Sequence, residues 1–244
     1  MKDALNEIVQ HTHGLGIFSL IKVMGTEDTT KLNGAAEQQV AVLDAKFHSP
    51  MPEFIGTFGM PNLQKLSILL NIPEYKEHAQ LSITTKTEND VTYPSGIEFV
   101  NRDGDFKNQY RFMSGPVINV KLQTVLFRGV TKWDIEVEPS VSSIQRLKFQ
   151  RQAHSEDATF IAGTDGKNLV FQFGDKSSHA GDYVFYSGVN GKLTHQFPYP
   201  TSVFDSILSL PGDKTVRFSD QGIARIDVDS GMALYSYTIP ALSK

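Results

Sequence analysis

Apolar and polar residues alternate in short runs along most of the chain. Such runs at 17–24, 39–47, 80–87, 96–101 and 107–113 predict strands, as do 131–137, 159–162, 169–173, 183–186, 215–219, 224–228 and 233–239. Turn dipeptides punctuate them. Asp103-Gly104, Asp165-Gly166 and Asn190-Gly191 suit the positive φ of tight hairpins, with Gln221-Gly222 and Ser230-Gly231 as weaker versions. Strand signals about ten residues apart are those of an antiparallel β protein.

Four segments carry a helical period instead. In the first, 3–11, Leu5, Ile8 and Val9 fall on one side. The second, 61–71, opens with Pro61, which suits a first helical turn, and carries Leu63, Leu66 and Leu70. The third, 140–152, has Ser140 as a cap and Val141, Ile144 and Leu147 on one side. The fourth, 200–209, opens with Pro200 and carries Val203, Phe204 and Ile207. Each is too short to stand alone and needs a sheet to pack on.

The helices are spaced as a repeat. The first starts 137 residues before the third, and the second 139 before the fourth. At an offset of 139, Phe58 matches Phe197, Pro61 matches Pro200, and Ser67-Ile68-Leu69 matches Ser206-Ile207-Leu208. The pattern predicts an α+β chain built from two copies of one unit. The expected domains are 1–113 and 131–244, joined by a connector at 114–130.

Composition narrows the chemistry. The 244 residues include no cysteine, which excludes disulfides, thiolate metal sites and a cysteine nucleophile. The formal charge is −4, from 23 basic and 27 acidic residues. Yet 139–155 holds Arg146, Lys148, Arg151 and His154 and no acid. One helix of an acidic chain is therefore basic, either as a solvated face or as a surface for phosphates. The second helix adds Gln64, Lys65 and Asn71 on the side away from its leucines, and the first Lys2, Asn6 and Gln10 beside Glu7. Nucleotide-binding loops and the G-x-S-x-G elbow are absent. Gly14-Leu15-Gly16 precedes a strand rather than a helix. His11-x-His13 lacks a third ligand nearby, and Asp227-x-Asp229-Ser230-Gly231 lacks the closing glutamate of a calcium loop. No catalytic constellation, cofactor site or metal site is expected. Acids in the first seven residues argue against a secretory signal, and no stretch is long enough to span a membrane.

The stretch from Phe54 to Leu70 resembles the mid-domain strand and helix of the sliding clamps of T-even-type bacteriophages. Pro139 to Phe173, with Arg146 in its helix and the Asp165-Gly166 hairpin, is similar to the start of their second domain. Gly231 to Ala241 looks like a clamp's terminal strand. The resemblance implies a DNA-clamp fold: two similar domains, each with two helices packed on antiparallel sheets, and three subunits closed into a ring. Its implied function is to encircle duplex DNA and tether the replicative DNA polymerase, without enzymatic activity. An ATP-driven clamp loader would place it, late-transcription factors would use it, and the compartment would be the cytoplasm of an infected bacterium.

Carried onto this chain, the resemblance gives DNA-facing roles to Lys2, Lys65, Lys132, Arg146, Lys148 and Arg151. Lys148 and Arg151 fall nearer the apolar side of their helix, so either the helix boundary differs or one of them snorkels. Asp205, with Ser202 and Ser209 on the polar side of the fourth helix, would be neutral or repulsive to DNA. Tyr110 and Phe112, and Tyr183 and Phe185, would lie at subunit contacts, although aromatics at such positions also serve as sheet core. A partner's C-terminal peptide would dock near Leu122, Val125, Leu126, Ile239, Pro240 and Leu242. Composition alone also allows a β-rich phage structural or attachment module with no DNA role, which the 139-residue repeat and the basic helix disfavour.

Overall fold

The computed structural model describes residues 1–88, 90–123 and 132–242. The chain divides into two units. Unit 1 comprises Met1–Glu37, Leu43–Val125 and Gly231–Tyr235; unit 2 comprises Gln38–Val42, Leu126–Ser230 and Ser236–Lys244.

Unit 1 begins with α1 (Lys2–His11), β1 (Leu20–Gly25), β2 (Thr30–Ala35), β3 (Val42–Phe47), β4 (Gly56–Pro61) and α2 (Leu63–Asn71). It continues through β5 (Gln80–Glu88), β6 (Val91–Val100), β7 (Lys107–Arg111), the two-residue β8 (Met113–Ser114) and α3 (Gly115–Lys121). Unit 2 holds β9 (Ile135–Val137), α4 (Val141–Ala153), β10 (Thr159–Asp165), β11 (Asn168–Gly174), β12 (Ala180–Ser187) and β13 (Phe197–Pro200). After these come α5 (Thr201–Leu208), β14 (Asp213–Ser219) and β15 (Ile223–Asp229). The last strand, β16 (Ala233–Pro240), contributes its start to unit 1 and its end to unit 2.

The duplication is written in the strand register. In unit 1, β1 pairs with β4 so that Leu20 faces Pro61 and Val23 faces Phe58. In unit 2, β10 pairs with β13 so that Thr159 faces Pro200 and Ala162 faces Phe197. Every one of these positions is displaced by 139 residues between the units. The strand order β4-β1-β2-β3 in unit 1 corresponds to β13-β10-β11-β12 in unit 2, with β8 added beside β4, and β5-β6-β7 corresponds to β14-β15-β16.

Each unit's core lies where a helix pair meets its sheets. In unit 1, Leu5 and Ile8 of α1 and Leu63, Leu66 and Leu70 of α2 are buried with Ile21, Val23, Phe58 and Met60. In unit 2 the core is aromatic. Phe171 stacks on Phe185 at 4.3 Å and packs against Phe160 at 4.5 Å, while Phe204 of α5 stacks on Phe218 at 5.8 Å. Each such ring, fully buried, contributes about 1.5–3 kcal/mol.

The elements that pattern reading missed have a common composition. β2 contains Asn33 and Gly34, β4 contains two glycines, and β13 reads Phe-Pro-Tyr-Pro; the asparagine, glycines and prolines disfavour strands, which are held by pairing with their neighbours. The seven-residue α3 lies inside the expected connector and is anchored by buried Ile118. The two prolines expected to open helices instead close strands: Pro61 ends β4 and Pro200 ends β13. α2 is capped by Asn62, whose side chain accepts the Lys65 N–H at 3.2 Å. The Ser140 cap on α4 is present, its hydroxyl accepting the Ser143 N–H at 3.1 Å. Asn190-Gly191 does not join two paired strands. Gly191 has φ +154° and passes so close to Asp134 that a Cβ would lie 2.0 Å from the Asp134 carbonyl oxygen.

Candidate nucleic-acid interface

The helices decide what surface each unit offers. α1 packs beside α2 in unit 1, and α4 beside α5 in unit 2. Leu5 and Ile8 of α1, Leu63, Leu66 and Leu70 of α2, Leu147 of α4, and Val203, Phe204 and Ile207 of α5 are buried, so the remaining faces look outward. On α2 that face is Gln64, Lys65, Ile68 and Asn71; on α4 it is Ser142, Gln145, Arg146, Phe149 and Gln152; on α5 it is Ser202, followed by Ser209 just past the helix end. Amides and hydroxyls dominate, and among the described residues Asp3 is the one exposed acid on these four helices. A surface of neutral donors with a few cations suits phosphates without reading sequence.

The six expected DNA-facing cations separate into two groups. Lys65, Arg146 and Lys148 carry no ion pair among the described residues; the first two are exposed and Lys148 is half-buried. Arg146 lines a solvent-open cleft of about 510 Å³ with Ser140, Ser143, Glu138 and the Val184 and Tyr186 positions of β12. The other three are committed within the chain. The Lys2 ammonium donates to the backbone carbonyls of Tyr75 and Lys76, the latter at 2.7 Å, tying the start of α1 to a turn after α2. Lys132 lies 2.9 Å from Asp134, which raises the lysine's pKa. The Asp220 N–H and Lys132 together hold the Asp134 carboxyl below the usual carboxylate range.

Arg151 is the third. Its guanidinium lies 2.5 Å from Asp205 of α5. Asp205 is itself buried, 6% exposed, and so is not on the polar face that the helical wheel gives it. The two expectations correct each other: the arginine nearer the apolar side reaches across to the acid on the neighbouring helix. The α4 wheel needs a second correction, because Val141 is 85% exposed while Leu147 alone of that helix is fully buried.

The four expected contact aromatics pack within their own units. Tyr110 is buried, and its hydroxyl donates to the Pro61 carbonyl at 2.5 Å. Phe112 stacks on Phe58 at 4.3 Å. Phe185 is fully buried, and half-buried Tyr183 packs edge-on to it and to Phe171. Burial first, then Asp205, push the Tyr183 phenol above its ordinary value, and Arg146 opposes them. Tyr110 and Phe185 are thus buried in their own units, while Phe112 and Tyr183 are half-buried there. β7 exposes the alternate residues Lys107, Gln109 and Arg111, and β12 exposes Ala180, Asp182 and Val184. Both strands stand at sheet edges among the described residues.

Of the expected docking residues, Val125 and Leu126 lie outside the described residues. In unit 1, Leu122 is half-buried at the end of α3, near Val117 and Val120, which are 46% and 68% exposed. Sequence reading passes over those two valines because their seven-residue helix falls inside the expected connector. In unit 2, Ile239 is fully buried in β16, Pro240 is half-buried and Leu242 is 37% exposed. Leu242 is held by its N–H to the Pro198 carbonyl at 2.9 Å. Ile239 is thus a core residue rather than a surface contact. His11, half of the histidine pair, is buried with its ring stacked on Tyr235 at 4.0 Å and its Nε2 3.5 Å from Glu7.

No protein-family model and no curated protein matches the chain. Solved structures do. The chain is similar to the PCNA in a structure of the C-terminal region of FEN-1 bound to A. fulgidus PCNA, with a TM-score of 0.68 and 9% identity. That match covers 100% of this chain and 97% of the other. PCNA from Thermococcus kodakaraensis matches with a TM-score of 0.64 and 10% identity, covering 99% and 97%. The chain therefore has the α+β fold of the PCNA-type sliding clamps over its whole length. Among the described residues, no helix is long and apolar enough to cross a membrane.

Proposed function

We propose that this protein is a sliding clamp of the T-even-phage type, a homotrimeric ring that encircles duplex DNA and tethers a DNA polymerase. The observation that carries the reading is the pair of helix layers, poor in exposed acid, on a chain that is acidic overall and has the sliding-clamp fold. An acidic exterior repels DNA, and a neutral-to-basic helix surface tolerates it. Non-specific phosphate contacts have Kd values of roughly 10⁻⁴–10⁻⁶ M. Such contacts permit sliding, and closure of the ring supplies the residence time. The role is that of a scaffold and requires no catalysis.

Ring closure is supported by the edges. In unit 1 the outer side of β3 is met by the start of β16, where the His48 N–H donates to the Met232 carbonyl at 3.0 Å. The counterpart of β3 in unit 2 is β12, an edge strand among the described residues, and the counterpart of β16 in unit 1 is β7, likewise an edge among them. Head-to-tail pairing of β7 with β12 of a second copy uses up both edges and brings Lys107 and Arg111 toward Asp182. The peptide-docking role falls to Val117, Val120 and Leu122 in unit 1 and to Pro240 and Leu242 in unit 2. The FEN-1 C-terminal region bound to A. fulgidus PCNA is a precedent on this fold. A clamp loader, late-transcription factors and the cytoplasm of an infected bacterium belong to the same reading.

Light scattering across a dilution series tests it. A trimer has a mass of about 81 kDa, three times 27.1 kDa. Its retention on nicked circular DNA after loading, and its release on linearising that DNA, would establish encirclement. A chain that stays monomeric at every concentration, with DNA, polymerase and loader present, refutes the proposal and favours a β-rich structural module.

A further inference from the structure

His154, Glu156 and Asp157 follow α4 within a single turn of chain, and one ligand atom from each lies within 4.8 Å of the others. This is the one grouping of three such side chains among the described residues. His154 Nδ1 and Asp157 Oδ2 are 3.1 Å apart. Two ligands bound to one ion at about 2.0–2.2 Å each stand roughly 2.8–3.6 Å apart in octahedral or tetrahedral geometry.

The histidine is fixed in place. It is 7% exposed, and its ring stacks on Phe173 of β11 at 5.7 Å. Its other nitrogen lies against the backbone of β12 at Gly181, where an added Cβ would sit 2.5 Å from Nε2. Only glycine lets the ring lie there, and the ring so held turns Nδ1 toward Asp157. The side facing solvent stays open, since Glu156 is exposed and Asp157 half-buried.

The charge balance favours a cation. Two carboxylates follow the C-terminal end of a 13-residue helix, where the helix dipole is negative. No lysine or arginine pairs with either carboxylate among the described residues, and the nearest arginine on the helix, Arg151, is bound to Asp205. One imidazole with two carboxylates is a donor set for zinc-like ions, whereas calcium takes six to eight oxygens.

We propose that His154, Glu156 and Asp157 bind one divalent transition-metal ion of the zinc class, clipping the end of α4 to the β11–β12 face of unit 2. The proposal stands independently of the clamp reading. Calorimetric titration of the tag-free full chain with Zn²⁺ tests it. The expected result is one ion per chain, at least tenfold weaker binding in both Glu156→Gln and Asp157→Asn, and a thermal midpoint raised by about 5–11 °C at a hundredfold excess over Kd. Glu156 is exposed and carries no ion pair among the described residues. Glu156→Gln should therefore leave the metal-free midpoint unchanged, which separates removal of a ligand from misfolding. Absence of saturable binding, or binding of undiminished strength in Glu156→Gln, overturns the site and leaves His154 and Asp157 a simple hydrogen-bonded pair.

Discussion

Two arginines five residues apart on α4 give opposite expectations, and the sharper one concerns stability. Arg151→Ala removes the guanidinium that lies 2.5 Å from buried Asp205. Asp205 would be left buried without its partner: its Oδ1 has no hydrogen-bond partner, and the Arg151 bond is to Oδ2. Breaking a fully buried ion pair from one side costs about 3–5 kcal/mol. The arginine side chain is 44% exposed, so water screens part of the field. The expected destabilisation is therefore about 1–3 kcal/mol. At roughly 2–4 °C per kcal/mol for a chain of this size, the thermal midpoint falls by about 2–12 °C. Calorimetry and urea denaturation of the purified variant measure it. The double variant Arg151→Ala/Asp205→Asn should recover part of that stability, because a buried amide costs less than a buried unpaired carboxylate. An Arg151→Ala protein with an unshifted midpoint, or a double variant no more stable than the single, would refute the assignment of Arg151 to structure.

Arg146→Ala should leave the thermal midpoint unchanged while weakening DNA binding. The slope of log K against log salt should fall in magnitude by about one for each phosphate no longer neutralised; filter binding at several salt concentrations measures this. The phenols of Tyr110, Tyr183, Tyr199 and Tyr235 are raised above their ordinary value, in each case first by burial. The folded state thus favours the protonated form, and the stability it confers is present below about pH 10 and disappears as the pH rises toward the folded values. An ultraviolet titration should show these four among the eight tyrosines ionising only as the chain unfolds. Gly191→Ala should destabilise unit 2 by roughly 1–3 kcal/mol, because its backbone conformation excludes a side chain and Asp134 occupies the space; urea denaturation would show it.

How much of this is legible in the sequence depends on where the determining contacts lie in the chain. Helices with a local apolar stripe are visible, and so is the 139-residue offset, because Phe58 and Phe197 face equivalent positions on β1 and β10. β13 is invisible because its prolines argue against a strand and only pairing with β10 holds it there. The fate of Arg151 cannot be read from a helical wheel, since its partner lies 54 residues on in another helix. The aromatics at the sheet edges are ambiguous in the same way. Alternation shows that Tyr110 and Lys107 differ in facing, but not which side carries the core. His154, Glu156 and Asp157 are close in sequence, yet their convergence depends on the distant Gly181 leaving room for the ring.

The division of the chain into its two units also bears on how the molecule can be made and dissected. Gln38–Val42 belongs with the second unit, and Gly231–Tyr235 with the first. No single cut yields two whole halves, because each fragment would lack a piece carried by the other. During synthesis the first unit has all its parts only after residue 235 has been made, when nearly all of the second already exists. Completion of the first unit thus waits on chain made after most of the second, unlike a pair of domains whose parts are made in N-to-C order.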